Sequence, residues 1–278
     1  MLSVDAESNP ELLWALRGAG ANFGVTTSYD CRLHPVGVVT SGDIYYPVRE
    51  ARTVLRFFRN LMAEAPDSLQ AALNLTRGDR GVFVSLCHAG GAAEAERLLQ
   101  SLRTVATPAK DTIRQQTFTE LAGKPQTATP DASFRCIAGV YRDELSDAVM
   151  DIVLDRLSQA PADAVLGIDH YTHGEVCRPA PDSTAFSLRH RGAVHIRMSL
   201  AWQDSAASGR LMQWADEAYR LLRPASGERI YANYQSDEGK GSAQAVFGGN
   251  HSRLVALKSK YDPTNLFQRN SNIEPKPS

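Results

Sequence analysis

The sequence predicts an α+β fold, an antiparallel β-sheet covered by helices on one face. Three observations carry this prediction. Strand-like alternation recurs at residues 69–76, 82–88, 134–141, 164–171 and 193–202. Helical spacing falls between these runs at residues 48–63, 92–105, 145–157 and 206–222, an order that suits layers of helix on sheet. No internal repeat or low-complexity tract interrupts the 278 residues, a length sufficient for one large domain or two ordinary ones.

Taken in order, residues 1–6 read as the tail of a strand or turn. Asn9 and Pro10 look like a helix start, and residues 11–17 have helical spacing. The alternating Val25, Thr27, Tyr29, Cys31 and Leu33 predict a strand, and residues 36–46 a second extended segment. In the helix at 48–63, Val54, Phe57, Phe58 and Leu61 share one face. The helix at 145–157 is expected to carry Asp143 and Glu144 in its first turn, where the helix dipole favours acids. The last long helix ends near Pro224, and the Pro/Thr-rich "GKPQTATPDAS" at 123–133 is the expected loop.

Thirty Lys and Arg balance thirty-one Asp and Glu, for a formal charge of -1. The basic residues are scattered, so neither nucleic acid nor an anionic membrane is an expected partner; a small-molecule substrate fits better. Cys31, Cys87, Cys136 and Cys177 lie far apart and read as buried free thiols. No apolar run reaches the ~20 residues of a membrane span, and no signal peptide opens the chain, which as given reads as soluble and cytoplasmic.

Several motifs invite chemistry and fail on inspection. Gly18, Gly20 and Gly24 miss the dinucleotide fingerprint G-x-G-x-x-G, because the third glycine comes one residue late and the order is helix to strand rather than strand to helix. "HYTHGEVC" offers His170, His173, Glu175 and Cys177, the last three on one face of an expected strand, but no second cluster completes a tetrahedral metal site. "DEGKGS" around Lys240 lacks the spacing of a phosphate loop, and no G-x-S-x-G elbow marks a hydrolase.

Three other blocks are more specific. "LLWALRGAGANFGVTT" at the front, "YANYQSDEG" from Tyr231 and "FGGNHSRLVALKSKYDPTNLFQRNSNI" from Phe247 together resemble the berberine bridge enzyme-like flavoprotein oxidases of the vanillyl-alcohol oxidase superfamily. "DSTAFSLRHRGAVHIRMSLAW" is similar to the substrate-domain strand of that family. The resemblance implies an FAD enzyme that removes a hydride from an alcohol, sugar or natural-product carbon and is reoxidised by oxygen. It also implies three regions: a remnant of the FAD-binding domain at 1–37, a substrate domain with the antiparallel sheet at 38–228, and a family-specific C-terminal segment at 229–278. The first and last would together form a partial FAD-binding domain.

By the same resemblance, the loop holding Gly18, Gly20, Asn22, Gly24 and Val25 touches FAD through its backbone. Tyr231 and Asn233 join it, Asn233 at the flavin edge and Tyr231 in packing. Tyr234, in the Y-x-N-Y match, falls where family members place the base that takes the substrate hydroxyl proton. A phenol of ordinary pKa near 10 needs a neighbouring cation or donor for that task. His195 and Arg197, on one face of one strand, are the candidate helpers; either they meet an acidic substrate or they face solvent.

The phosphate-cradling half of the family has no counterpart in these residues. Three readings follow: the C-terminal portion of a truncated oxidase, one half of a split enzyme with a separate FAD-binding chain, or a non-catalytic binding module that keeps the fold. Because a flavin at a domain interface needs both walls, the chain alone is expected to bind FAD weakly or not at all.

Overall fold

The computed structural model describes residues 1–123, 132–162, 164–169, 172–223, 229–234, 243–269 and 271–277, without the side chain of Tyr234. Strands β1 (Val38–Tyr46), β2 (Leu69–Leu75), β3 (Val82–His88), β4 (Lys110–Asp111), β5 (Arg114–Thr117), β6 (Phe134–Arg142), β7 (Val165–Asp169) and β8 (Val194–Trp202) form one sheet. Its order is β4-β1-β3-β2-β7-β8-β6, with β5 also on β1, and every pairing is antiparallel. Helices α2 (Ala51–Ala63), α3 (Ala92–Val105), α5 (Asp147–Ser158) and α6 (Ser208–Leu222) supply the apolar partners of that sheet, while α4 (Phe118–Ala122) and α7 (Ala243–Phe247) are single short turns of helix. The α+β prediction holds.

The alternation along each strand decides which face meets the helices. Leu73 and Leu75 of β2, Leu166 and Ile168 of β7, and Ile196 and Met198 of β8 are buried in one cluster with Val54, Phe58, Val153 and Trp214 from the helices. Burying a side chain such as Phe58 contributes about 1.5–3 kcal/mol. The intervening positions Asn74, Asp169, His195 and Arg197 therefore fall on the opposite face.

A second, smaller core joins the two ends of the described chain. Helix α1 (Pro10–Ala19) contributes Leu12, Trp14 and Ala15; α8 (His251–Tyr261) contributes Leu254 and Leu257; Ile230, Phe247, Ile273 and Ala185 complete the cluster. Lys258 is the clamp. Its fully buried ammonium donates to Asp262 Oδ2 (2.6 Å), the Phe267 carbonyl (2.7 Å) and the Asn22 carbonyl (2.8 Å), tying α8, the tail and the loop after α1 together. Burial alone would raise the Asp262 carboxyl, but Lys258 and the backbone N–H groups of Phe267 and Leu266 hold it below the usual carboxylate range.

Some expectations are corrected. Residues 25–33 form no strand: Val25 and Leu33 are exposed at 81% and 89%, and alternation without a ladder partner to satisfy the backbone does not make a strand. Helix α5 begins at Asp147, because Ser146 is its N-cap and accepts from the Val149 N–H; Asp147 is the first-turn acid, while Asp143 and Glu144 precede the helix. The described part of the expected strand runs to Asp169, residues 170 and 171 lie outside the described residues, and Gly174–Cys177 is a 3₁₀ turn entered by Gly174 at φ +61°, so His173, Glu175 and Cys177 do not share a strand face. His170, the "DEGKGS" stretch and residues 124–131 of the expected loop lie outside the described residues. None of the four cysteines forms a disulfide, but only Cys136 is buried; Cys31 is exposed. Among the described residues no His, Cys, Asp and Glu group could hold a metal ion, and no helix is long and apolar enough to cross a membrane.

Candidate active-site cleft

The front glycine turn and the C-terminal tyrosine segment meet. Gly18, Ala19, Gly20, Ala21 and Asn22 face Ile230, Tyr231, Ala232 and Asn233 across a cavity of about 540 Å³. Helix α1 delivers this turn because its last residues leave helical geometry, with Arg17 at ψ 61° and Gly18 at φ +143°. Gly18 has a definite reason to be glycine. A Cβ there would lie 2.3 Å from the Phe186 backbone nitrogen, so the turn rests directly on the 185–186 backbone. At Gly20 a Cβ would meet only the tip of Leu16 at 3.9 Å, which leaves the cavity floor as bare backbone.

Not every predicted residue lines this space. Gly24 and Val25 lie outside it, Gly24 half-buried and Val25 exposed. The Asn22 side chain is turned to the tail, accepting from the Ile273 N–H (2.9 Å) and donating to the Ser271 carbonyl. Asn233 donates to the Tyr231 hydroxyl at 2.9 Å. Tyr234 ends the short turn Ala232–Tyr234, and its side chain lies outside the described residues.

A second cavity of about 550 Å³ adjoins the first, and Phe186, Leu188 and Tyr231 line both. His195 lines this second cavity and Arg197 does not. The sheet register explains the difference. Ala72, Asp169, His195 and Tyr141 are aligned across β2, β7, β8 and β6, and the next row holds Asn74, Gly167, Arg197 and Gly139.

Arg197 reaches its own row and the row on either side. It reaches Asp169 Oδ2 (3.1 Å), Asn74 Oδ1 (3.3 Å) and Ser199 Oγ (2.6 Å). His195 Nδ1 stands 3.6 Å from the same Asp169 oxygen, with its ring edge-on to Tyr231 at 6.3 Å. Two strand glycines make this possible: a Cβ at Gly167 would sit 2.6 Å from Arg197 Nη2, and one at Gly139 would sit 2.2 Å from His195 Nε2. Burial alone would raise the Asp169 carboxyl; hydrogen bonds and charge from His195 and Arg197 outweigh it and hold the group below the usual carboxylate range.

Sequence reasoning missed Asp169, Tyr141, Phe186 and Arg189. Asp169 and Tyr141 become neighbours of His195 only through register, which no local pattern encodes. The interior glycines Gly139 and Gly167 were the available signal, since a glycine within a strand often marks a close approach. Chemically, the cleft joins a flat backbone-floored slot to a chamber bearing a buried imidazole, a pairing suited to a planar group on one side and a small molecule on the other.

The eight-stranded antiparallel sheet with its covering helices has the fold of solved berberine bridge enzyme-like structures. Residues 230–274 match the family described as berberine and berberine-like. The chain is 27% identical over 278 residues to an FAD-linked oxidoreductase of Dictyostelium discoideum, covering 98% of this chain and 60% of the relative. It superposes on BBE-like 1 of Physcomitrella patens with a TM-score of 0.83 at 20% identity, covering 100% of this chain and 63% of that one. For berberine bridge enzyme from Eschscholzia californica the TM-score is 0.81 at 17% identity, covering 96% and 62%. The chain thus spans about 60% of the length of these relatives, and the resemblance to berberine bridge enzyme-like FAD-linked oxidases seen in the sequence is borne out.

Proposed function

We propose that this chain forms the substrate chamber and one wall of the flavin cleft of an FAD-dependent oxidoreductase, an oxidase of an alcohol, sugar or natural product. The observation that carries the reading is the shared cavity of the Gly18–Asn22 turn and the Tyr231–Asn233 turn, two segments more than 200 residues apart in sequence. The residues present fit a flavin ring: the floor at Gly18, Ala19, Gly20 and Ala21 carries nothing larger than a methyl group, so a planar system can lie on the backbone. When bound, FAD supplies hydride acceptance and return of the electrons to oxygen.

In this reading Tyr234 takes the substrate hydroxyl proton, by its place in the Y-x-N-Y match. His195 is the helper that faces the chamber. Arg197, its charge offset by Asp169, acts as a buttress that holds the row beneath His195. The FAD phosphates and the opposite wall are assigned to a separate FAD-binding chain or to further residues of a longer protein.

Flavin fluorescence quenching tests the assignment. Titration of the chain with FAD is expected to show weak, saturable uptake that Gly20→Leu abolishes, because a leucine side chain fills the slot. FAD that remains wholly free overturns the reading for this chain. In a flavin-loaded enzyme, Tyr234→Phe with near-normal turnover would remove Tyr234 as the base.

A further inference from the structure

The chamber beside the flavin slot has an unusual balance of charge. Its described lining holds Arg17, Arg189 and His195 and contains no Asp or Glu. Arg189 is fixed from behind: Nη1 donates to the Val176 carbonyl (2.9 Å), Nη2 donates to Thr184 Oγ1 (2.6 Å), and the guanidinium lies 5.3 Å from the Phe186 ring centre. Its third donor, Nε, is buried with no acceptor, and no carboxylate among the described residues pairs with the group.

A second buried donor shares the chamber. Tyr141 is 4% exposed, and its hydroxyl, with Thr172 close to it, makes no well-formed hydrogen bond among the described residues. Thr172, beside it, gives its own hydroxyl proton to the Ala193 carbonyl. Burial pushes the Tyr141 phenol up to about 12, so it remains a donor at neutral pH. Among the described residues, Asp169 is paired to Arg197, Asp67 and Glu175 to Arg178, and Asp143 to Arg229. Apart from these donors the walls are ring faces and aliphatic groups, from Phe186, Tyr231, Leu188 and Val176.

Unsatisfied buried donors beside an uncompensated cation are costly unless a ligand completes them. We infer that the chamber takes a small aromatic anion, an aryl carboxylate whose ring lies among Phe186, Tyr231 and Tyr141. Its carboxylate is received by Arg189 and Tyr141, with Arg17 adding attraction at the exposed rim. Guanidinium with carboxylate is a strong charge-assisted pairing, and aromatic walls suit a planar ring. This inference deepens the substrate-chamber reading by naming the substrate class.

The test compares two probes of one shape, 2-naphthoate and the neutral 2-naphthylmethanol, each titrated into the chain by calorimetry. Naphthoate is expected to bind about tenfold tighter or more. Arg189→Gln, with folding checked by circular dichroism, should shrink that preference to within about threefold, and Tyr141→Phe should weaken naphthoate binding by about three- to tenfold. If Arg189→Gln does not fold, the exposed Arg17→Gln carries the test, with a smaller loss that added salt mimics. Equal binding of the two probes, binding of neither, or an unchanged preference in the folded Arg189→Gln or, where that variant does not fold, in Arg17→Gln overturns the inference. Flavin titration of the same samples separates the two ideas. Carboxylate preference without flavin uptake removes only the oxidase reading, and flavin uptake without carboxylate preference removes only this one.

Discussion

On the helix-covered face of the sheet, Leu73, Ile168 and Ile196 pack against Phe58 and Val153; on the other face of the same strands, Asp169, His195 and Arg197 form a polar cluster over two glycines. One residue of register separates the two environments, because successive side chains point to opposite faces. The helical face draws its stability from area and close packing, for which many aliphatic combinations suffice. The polar face depends on exact placement, since Arg197 there is held by three named partners, Asp169, Asn74 and Ser199. The helical face can therefore be expected to tolerate conservative repacking, and the polar face to fail at single atoms.

Substitutions on each face sharpen that contrast. Phe58→Ala should produce the largest loss of stability, about 3–5 kcal/mol by denaturant unfolding, while leaving probe binding in the chamber unchanged once the protein is folded. Gly139→Val works the other way. It should cost about 1–3 kcal/mol, because its Cβ cannot coexist with the His195 ring, and should also abolish ligand binding in the chamber. A Phe58→Ala protein that folds but loses its chamber, or a Gly139→Val protein that keeps it, breaks the comparison.

Asp169→Asn addresses the polar cluster itself. Removing the carboxylate leaves Arg197 with neutral partners and should cost about 1–3 kcal/mol at neutral pH. The pH dependence gives the sign. The Asp169 carboxyl is held below its ordinary value of 3.8 in the folded state, so its contribution is present above that value and is lost as pH falls through it toward the folded-state pKa. Unfolding followed from neutral pH down to about pH 3 should find the gap between the wild type and Asp169→Asn narrowing on acidification. A constant gap would show that Asp169 acts through packing and not charge. The smallest effect is expected at Leu33→Ser, within about 0.5 kcal/mol, because that side chain lies in the exposed segment away from both faces.

Much of the layer architecture was legible because it rests on local periodicity. The strands at 69–75, 82–88 and 194–202 and the helices at 92–105 and 208–222 match their expected runs closely, each with apolar residues at the spacing its geometry demands. The short strands β4 and β5 were not legible: "KD" and "RQQT" carry no apolar alternation and are strands only because the edge of β1 pairs with them. The reverse error occurred at 25–33, where alternation was present and no partner edge was. The cleft divides in the same way. Gly18, Gly20, Asn22, Tyr231 and Asn233 were singled out together and line one cavity, while Gly24 and Val25, from the same motif, do not.

By itself the sequence determined which stretches coil, which extend and which side of each is apolar, since these properties depend on neighbours a few residues away. Only the tertiary structure decided that Asp169 sits between His195 and Arg197, that Gly139 and Gly167 leave them room, and that Arg189 and Tyr141 share a chamber. Those relations join residues tens of positions apart through strand register and chain crossing, and a one-residue shift in pairing would turn every one of these side chains to the other face.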